Sequence, residues 1–239
     1  MEYFPHLGGG ISVCQQCVAK QLDDDRRADL EDIRARKHAL ADKQWQDRYA
    51  RLQVGRRFLS RGFDDYQVDP ANKAQAQALK TCQRYAETFR DRREAGDSLI
   101  LTGSPGTGKN HLAAAICKAV IDMGLSALHT TALRLVREVK QTWGRNAGLS
   151  EAEAIEGFIS PDLLVIDEVG CQFGSQAEQI VLMEVINSRY ADMRPTVLLS
   201  NLPVGELKGI LGPQVVDRFY EGKSVVLEMF WPSHRQRPK

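Results

Sequence analysis

Residues 103–109 read Gly103-Ser104-Pro105-Gly106-Thr107-Gly108-Lys109, a spacing that suits a phosphate-cradling loop. Gly103 and Gly108 bracket four residues, so the backbone can curl with its N–H groups inward while Lys109 reaches the outer phosphates of a nucleotide. Gly106 and Gly108 permit positive φ, and Pro105 stiffens the turn. A helix opening at Lys109, through Asn110 and His111, adds the positive end of its dipole beneath the same anion. The residue after such a lysine usually carries a hydroxyl that ligates Mg²⁺. Here Asn110 offers a side-chain carbonyl oxygen instead, an unusual ligand but one of the right hardness.

A second group lies downstream. Leu163-Leu-Val-Ile166 is a wholly apolar strand that delivers Asp167-Glu168 to its C-terminal end, where open α/β sheets bind ligands. Asp167 is expected in the Mg²⁺ shell, and Glu168 is expected to orient and polarise an attacking water, because hydrolysis needs a placed nucleophile as well as a neutralised phosphate. Asn201 ends the next strand, beside Asp167, where its amide would contact the γ-phosphate or that water.

These residues need a scaffold that alternates strand and helix, as parallel α/β sheets do. The pattern predicts a helix over 71–89, strands at 98–102, 127–130, 163–166, 196–200 and 225–227, and helices at 109–123, 133–142, 152–158, 176–190 and 214–221. Before them, residues 18–54 carry apolar positions at Leu22, Leu30, Ile33, Leu40, Trp45, Tyr49 and Leu52 on a helical period amid dense mixed charge. That stripe must bury against the chain's own core or a partner. The organisation expected is a helical N-terminal arm over residues 1–55 and a nucleotide-binding α/β domain over 56–239.

Composition narrows the class. With 43% hydrophobic and 26% charged residues, a chain of 239 residues can bury one ordinary core plus an appendage. A net charge of +1 implies no obligatory nucleic-acid partner, so any such contact must come from a local patch. Arg134, Arg137, Lys140, Trp143 and Arg145 form one mixture of basic and aromatic side chains that single-stranded DNA would need. The alternative is a solvated basic helix face with Leu133, Leu135 and Val136 packed inward. No apolar run approaches the roughly 18 residues of a membrane span, and the N-terminus lacks a basic segment followed by an apolar one. A cytoplasmic protein with no membrane partner is expected, its five cysteines reduced.

The segments Gly103–Ile116, Asp162–Gly170, Arg194-Pro-Thr, Ser200-Asn201 and Val216-Asp-Arg218 closely resemble the bacterial DnaC-type replicative-helicase loaders. Lys109-Asn-His-Leu112 is the most specific match, and Trp231-Pro-Ser-His-Arg235 resembles that family's Trp-x-Ser-Tyr-Arg ending with His234 in place of Tyr. IstB-type transposition helpers resemble the chain more loosely, and typically carry Thr at the position of Asn110. The resemblance spans about residues 56–237. It implies an AAA+ P-loop NTPase fold, binding and hydrolysis of ATP with Mg²⁺, and an N-terminal arm docked on the hexameric replicative helicase. It also implies single-stranded DNA contact and self-association through the ATP site. In that arrangement Asn201 is a sensor, Arg218 reaches a neighbouring subunit's γ-phosphate, and Arg235 serves its own subunit's nucleotide.

Cys14-Gln-Gln-Cys17 supplies half the ligands of a zinc knuckle, with His6 the nearest third candidate. Other helicase loaders carry N-terminal zinc modules, so zinc is carried forward as a candidate. Two rival readings remain: a transposition helper acting on duplex DNA with a transposase, and a nucleotide-gated adaptor that barely hydrolyses ATP.

Overall fold

A computed structural model describes residues 4–5, 11–12, 61–144, 148–170 and 176–234. Cys14, Cys17, the helical stripe of residues 18–54, Arg145 and Arg235 lie outside the described residues. The chain divides into two compact units, Met1–Asp47 and Arg48–Lys239. Within the first, β1 (Phe4–Pro5) pairs antiparallel with β2 (Ile11–Ser12), Phe4 opposite Ser12.

The second unit is built on a five-stranded, all-parallel sheet, as expected. Its strands are β3 (Leu99–Gly103), β4 (Ala127–Thr131), β5 (Leu163–Asp167), β6 (Thr196–Ser200) and β7 (Val225–Met229), in the order β4-β5-β6-β3-β7. The helices are α1 (Lys73–Glu87), α2 (Phe89–Ala95), α3 (Lys109–Asp122), α4 (Ala132–Gln141), α5 (Glu151–Ile159), α6 (Gln176–Ala191), α7 (Val204–Leu211) and α8 (Pro213–Arg218). The three inner strands are buried along their whole length, which explains their unbroken apolar runs. Alternate residues feed two cores. Leu99, Leu101, Val165 and Leu199 meet Tyr85, Phe89, Leu112 and Ile116 on one face. Ile100, Leu164, Ile166 and Leu198 meet Leu135, Val139, Leu182, Leu207 and Phe219 on the other.

Local chemistry sets the element ends. Asn72 accepts from the Gln75 amide to start α1, Thr131 does the same for α4 from Arg134, and Ser150 with Glu153 forms a reciprocal capping box on α5. Three expectations are corrected. The helix predicted over 71–89 breaks at Thr88, whose hydroxyl donates to the Arg84 carbonyl at 2.8 Å, and the chain resumes as α2. Helix α7 was not expected, because Gly205 and Gly209 weaken its propensity; Val204, Leu207 and Leu211, one face at helical spacing, bury it nonetheless. The helix predicted over 214–221 runs only from Pro213 to Arg218.

Arg189, near the end of α6, is completely buried. It donates to the carbonyls of Phe158, Ile159, Pro161 and Pro195 and to the Thr196 hydroxyl at 2.6–3.2 Å, and no carboxylate is among these acceptors. Burial pulls its guanidinium down to about 9. The side chain caps the C-terminal carbonyls of α5, where a cation is favoured, and ties α5 to the start of β6. Replacing Arg189 by Met strands those carbonyls, so urea unfolding should show a loss of about 3 kcal/mol or more, and Arg189→Lys, which cannot span the acceptors, should recover little of it.

Candidate functional site

The glycine loop leaves β3 and enters α3, as the motif requires. Gly106 and Gly108 adopt φ of +81° and +98°. A Cβ at Gly106 would lie 1.9 Å from Ser233 Oγ, and one at Gly108 would lie 2.4 Å from Tyr66 Cε2, so both positions demand glycine on conformation and on space. The loop's carbonyls need partners of their own. Lys109 Nζ donates to the Gly103 and Ser104 carbonyls at 2.6 and 2.9 Å. The His234 amide donates to Gly106 O at 3.0 Å. Thr107 O accepts from both Tyr66 Oη at 2.9 Å and Trp231 Nε1 at 3.2 Å, while the Thr107 hydroxyl donates to Ser104 O.

The sheet order then assembles the rest. Strand β6 lies between β3 and β5, with Leu101 beside Leu199, Thr102 beside Ser200 and Ile166 beside Leu198. Gly103, Asp167 and Asn201 therefore emerge at one sheet edge. Asp167 is 9% exposed, and burial raises its carboxyl above the ordinary range, opposed by hydrogen bonds from the Glu168 amide and the Asn110 side chain and by the nearby Lys109 charge. Burial lowers Lys109, with Asp167 opposing. The two residues expected to share Mg²⁺, Asn110 and Asp167, thus touch. Their oxygen donors, with no thiol or imidazole among them, fit a hard divalent cation, and the glycine-lined cradle beside them fits phosphate.

Glu168 is exposed and held at φ +58°, a left-handed conformation that a glutamate adopts only at a cost. The turn is pinned on both sides. The Glu168 amide donates to Asp167 Oδ1 at 2.7 Å, the Val169 amide to Leu199 O, and the Ser200 hydroxyl to Val169 O at 2.6 Å. Asn201 follows directly and is exposed.

Other expected residues stand elsewhere. The His111 ring faces the connector, bonding Gly62 O at 2.8 Å and meeting Tyr66 edge-on at 5.5 Å. Arg218 Nη1 donates to Asn187 Oδ1 on α6, and its guanidinium lies 4.6 Å over the Tyr190 ring. Arg134, Arg137 and Lys140 share the outer face of α4, where Arg134 pairs with Glu138 at 2.9 Å and Lys140 with Glu178 at 3.2 Å, near the half-exposed Trp143. Leu133 is 46% exposed on that face, whereas Leu135 and Val136 are buried; the expectation that Leu133 packs inward is corrected. Among the described residues no group of three or more His, Cys, Asp or Glu side chains could hold a metal, and no helix is long and apolar enough to cross a membrane.

Sequence reasoning missed Tyr66 and the loop-facing role of Trp231 and Ser233. A lone tyrosine in a polar connector carries no local signal. Beside the loop these C-terminal residues enclose a cleft of about 630 Å³, lined by Ser104, Pro105, Gly106, Phe230, Trp231, Pro232 and Ser233.

Comparison with known proteins agrees with this geometry. A family model described as IstB-like ATP binding protein matches residues 14–227. The replicative helicase loader DnaC of Buchnera aphidicola subsp. Acyrthosiphon pisum is 37% identical over 182 residues, covering 76% of this chain and 72% of that one. The protein of the same name from Escherichia coli K12 is 38% identical over 175 residues, covering 73% and 69%. A crystal structure of the DnaC helicase loader superposes with a TM-score of 0.64 at 25% identity, covering 73% of this chain and 99% of that one.

The left-handed turn yields a direct test. Glu168→Gly should relieve the strain and gain up to about 1 kcal/mol in urea unfolding, whereas Glu168→Gln, which keeps the strained backbone, should gain nothing.

Proposed function

Since the chain belongs to the family of IstB-like and DnaC-type ATP-binding proteins, we propose that it is an ATP-dependent loader. In this reading it binds the hexameric replicative DNA helicase and delivers it to single-stranded DNA during replication initiation. Its fold is that of an AAA+ P-loop NTPase. The observation that carries the reading is the meeting of Lys109, Asn110 and Asp167 at one sheet edge, in a chain whose relatives at 37–38% identity are helicase loaders.

The triphosphate rests on backbone N–H groups of residues 106–110, and Lys109 exchanges the Gly103 and Ser104 carbonyls for its outer oxygens. Residues Ser104, Pro105 and Gly106 with Phe230–Ser233 leave a cleft for the nucleoside. Mg²⁺ held by Asn110 and Asp167 would neutralise charge on the phosphates. Glu168 polarises and aims the water, which its strained, pinned backbone holds in one direction. Asn201 contacts the γ-phosphate or that water. Arg218 acts on the nucleotide of a neighbouring copy, so hydrolysis is tied to self-association. The basic face of α4 contacts single-stranded DNA, and the N-terminal arm holds the helicase.

A pull-down with the tagged chain from its own cell should capture the replicative helicase, and removal of residues 1–55 should abolish capture while ATP binding persists. Arg218→Ala should bind ATP normally and lose DNA-stimulated hydrolysis. Capture of a transposase in place of the helicase would establish the transposition-helper alternative. Absence of turnover in the wild-type protein with DNA would leave a nucleotide-gated adaptor.

A further inference from the structure

We infer that Asn187 and Tyr190 on α6 are positioning residues that hold Arg218 ready for a phosphate on a neighbouring copy of the chain. This rests on the reading of Arg218 as the residue that acts on that neighbour's ATP. Asn187 and Tyr190 are three residues apart and share one face of α6. The Arg218 guanidinium lies over the Tyr190 ring at 4.6 Å and donates through Nη1 to Asn187 Oδ1.

What these partners lack is as informative as what they supply. A carboxylate would neutralise the arginine; a ring face and a neutral amide oxygen hold the cation while leaving its charge intact. Arg218 forms no salt bridge among the described residues, and its Nε and Nη2 edge has no partner among them. Stacking on the ring leaves these in-plane donors free for the two-point contact that arginine makes with phosphate.

The platform itself is fixed. Tyr190 Oη donates to a Glu221 carboxylate oxygen just beyond α8, so the ring is tethered at its far end. Arg189, between the two platform residues in sequence, points inward and anchors the last turn of α6 through its five hydrogen bonds. Rotation or sliding of that turn would break several of them at once. A surface arginine that would otherwise sample many rotamers is thereby committed to one before a partner arrives.

Subunit mixing tests this on the full-length protein, with single-stranded DNA present and ATP turnover as the readout. Asn187→Ala and Tyr190→Leu should each lower kcat about tenfold or more with KM for ATP unchanged, whereas Tyr190→Phe, which keeps the ring face and loses only its tether to Glu221, should lower it by less. Each impaired variant should regain turnover when mixed with Lys109→Ala subunits, which carry an intact Arg218 platform but no working loop. Wild-type or faster turnover in Asn187→Ala overturns the inference, since the contact would then be dispensable or a restraint. Failure to regain turnover on mixing also overturns it, provided that Arg218→Ala does regain turnover with the same partner. If Arg218→Ala alone turns over at the wild-type rate, the reading of Arg218 on which the inference rests is what fails.

Discussion

One carbonyl oxygen, that of Thr107, joins the connector before α1 to the segment after β7 of the AAA+ unit. It accepts Tyr66 Oη from the connector before α1 and Trp231 Nε1 from the segment after β7. A buried carbonyl without a partner costs about 1–3 kcal/mol. In this chain Gly103 and Ser104 bond Lys109, Gly106 the His234 amide, Thr107 both Tyr66 and Trp231, and Gly108 the Leu112 amide of α3. The C-terminal segment therefore braces the glycine loop although it follows the last strand. Histidine at position 234 leaves the bond to Gly106 unaffected, because that bond comes from the backbone.

The second constraint is the placement of β6 between the loop strand and the acidic strand. It separates Gly103 from Asp167 by one strand width, room for phosphates between them, and sets Asn201 at the middle of the gap. The turn after β5 must then reverse sharply without losing its register, which Ser200 secures by bonding Val169 and which Glu168 accommodates in a left-handed conformation. Burial sets Asp167 beside Lys109 and Asn110 in low dielectric, where the attraction between the carboxylate and the lysine is stronger than in water.

Much of this was legible in the sequence. The glycine spacing, the apolar strand ending in Asp167-Glu168 and the strand–helix alternation each have a period or a motif, and the five strands lie within a residue or two of where periodicity puts them. Helix α7 was hidden because two glycines lower its intrinsic propensity and only tertiary burial of Val204, Leu207 and Leu211 compensates. The break at Thr88 depends on a single hydroxyl that bonds backward. Tyr66, Trp231 and the Asn187–Tyr190–Arg218 arrangement involve partners 28 to 124 residues apart, a separation that leaves no local trace. Leu133 shows the opposite error: an apolar residue was assigned inward, yet on α4 it shares the outer face with Arg134 and Arg137.

The central claim is that Tyr66 and Trp231 brace the glycine loop before nucleotide arrives. Titration of ATP with Mg²⁺ into a Tyr66→Phe/Trp231→Phe double variant tests it most directly, since both donors to Thr107 are removed while an aromatic ring remains at each position. The account predicts affinity weaker by roughly ten- to thirtyfold, the worth of two hydrogen bonds near 1 kcal/mol each, measured well below a melting temperature that also falls, because the stranded Thr107 carbonyl and the smaller ring at position 231 cost stability. Affinity within about twofold of wild type would contradict it.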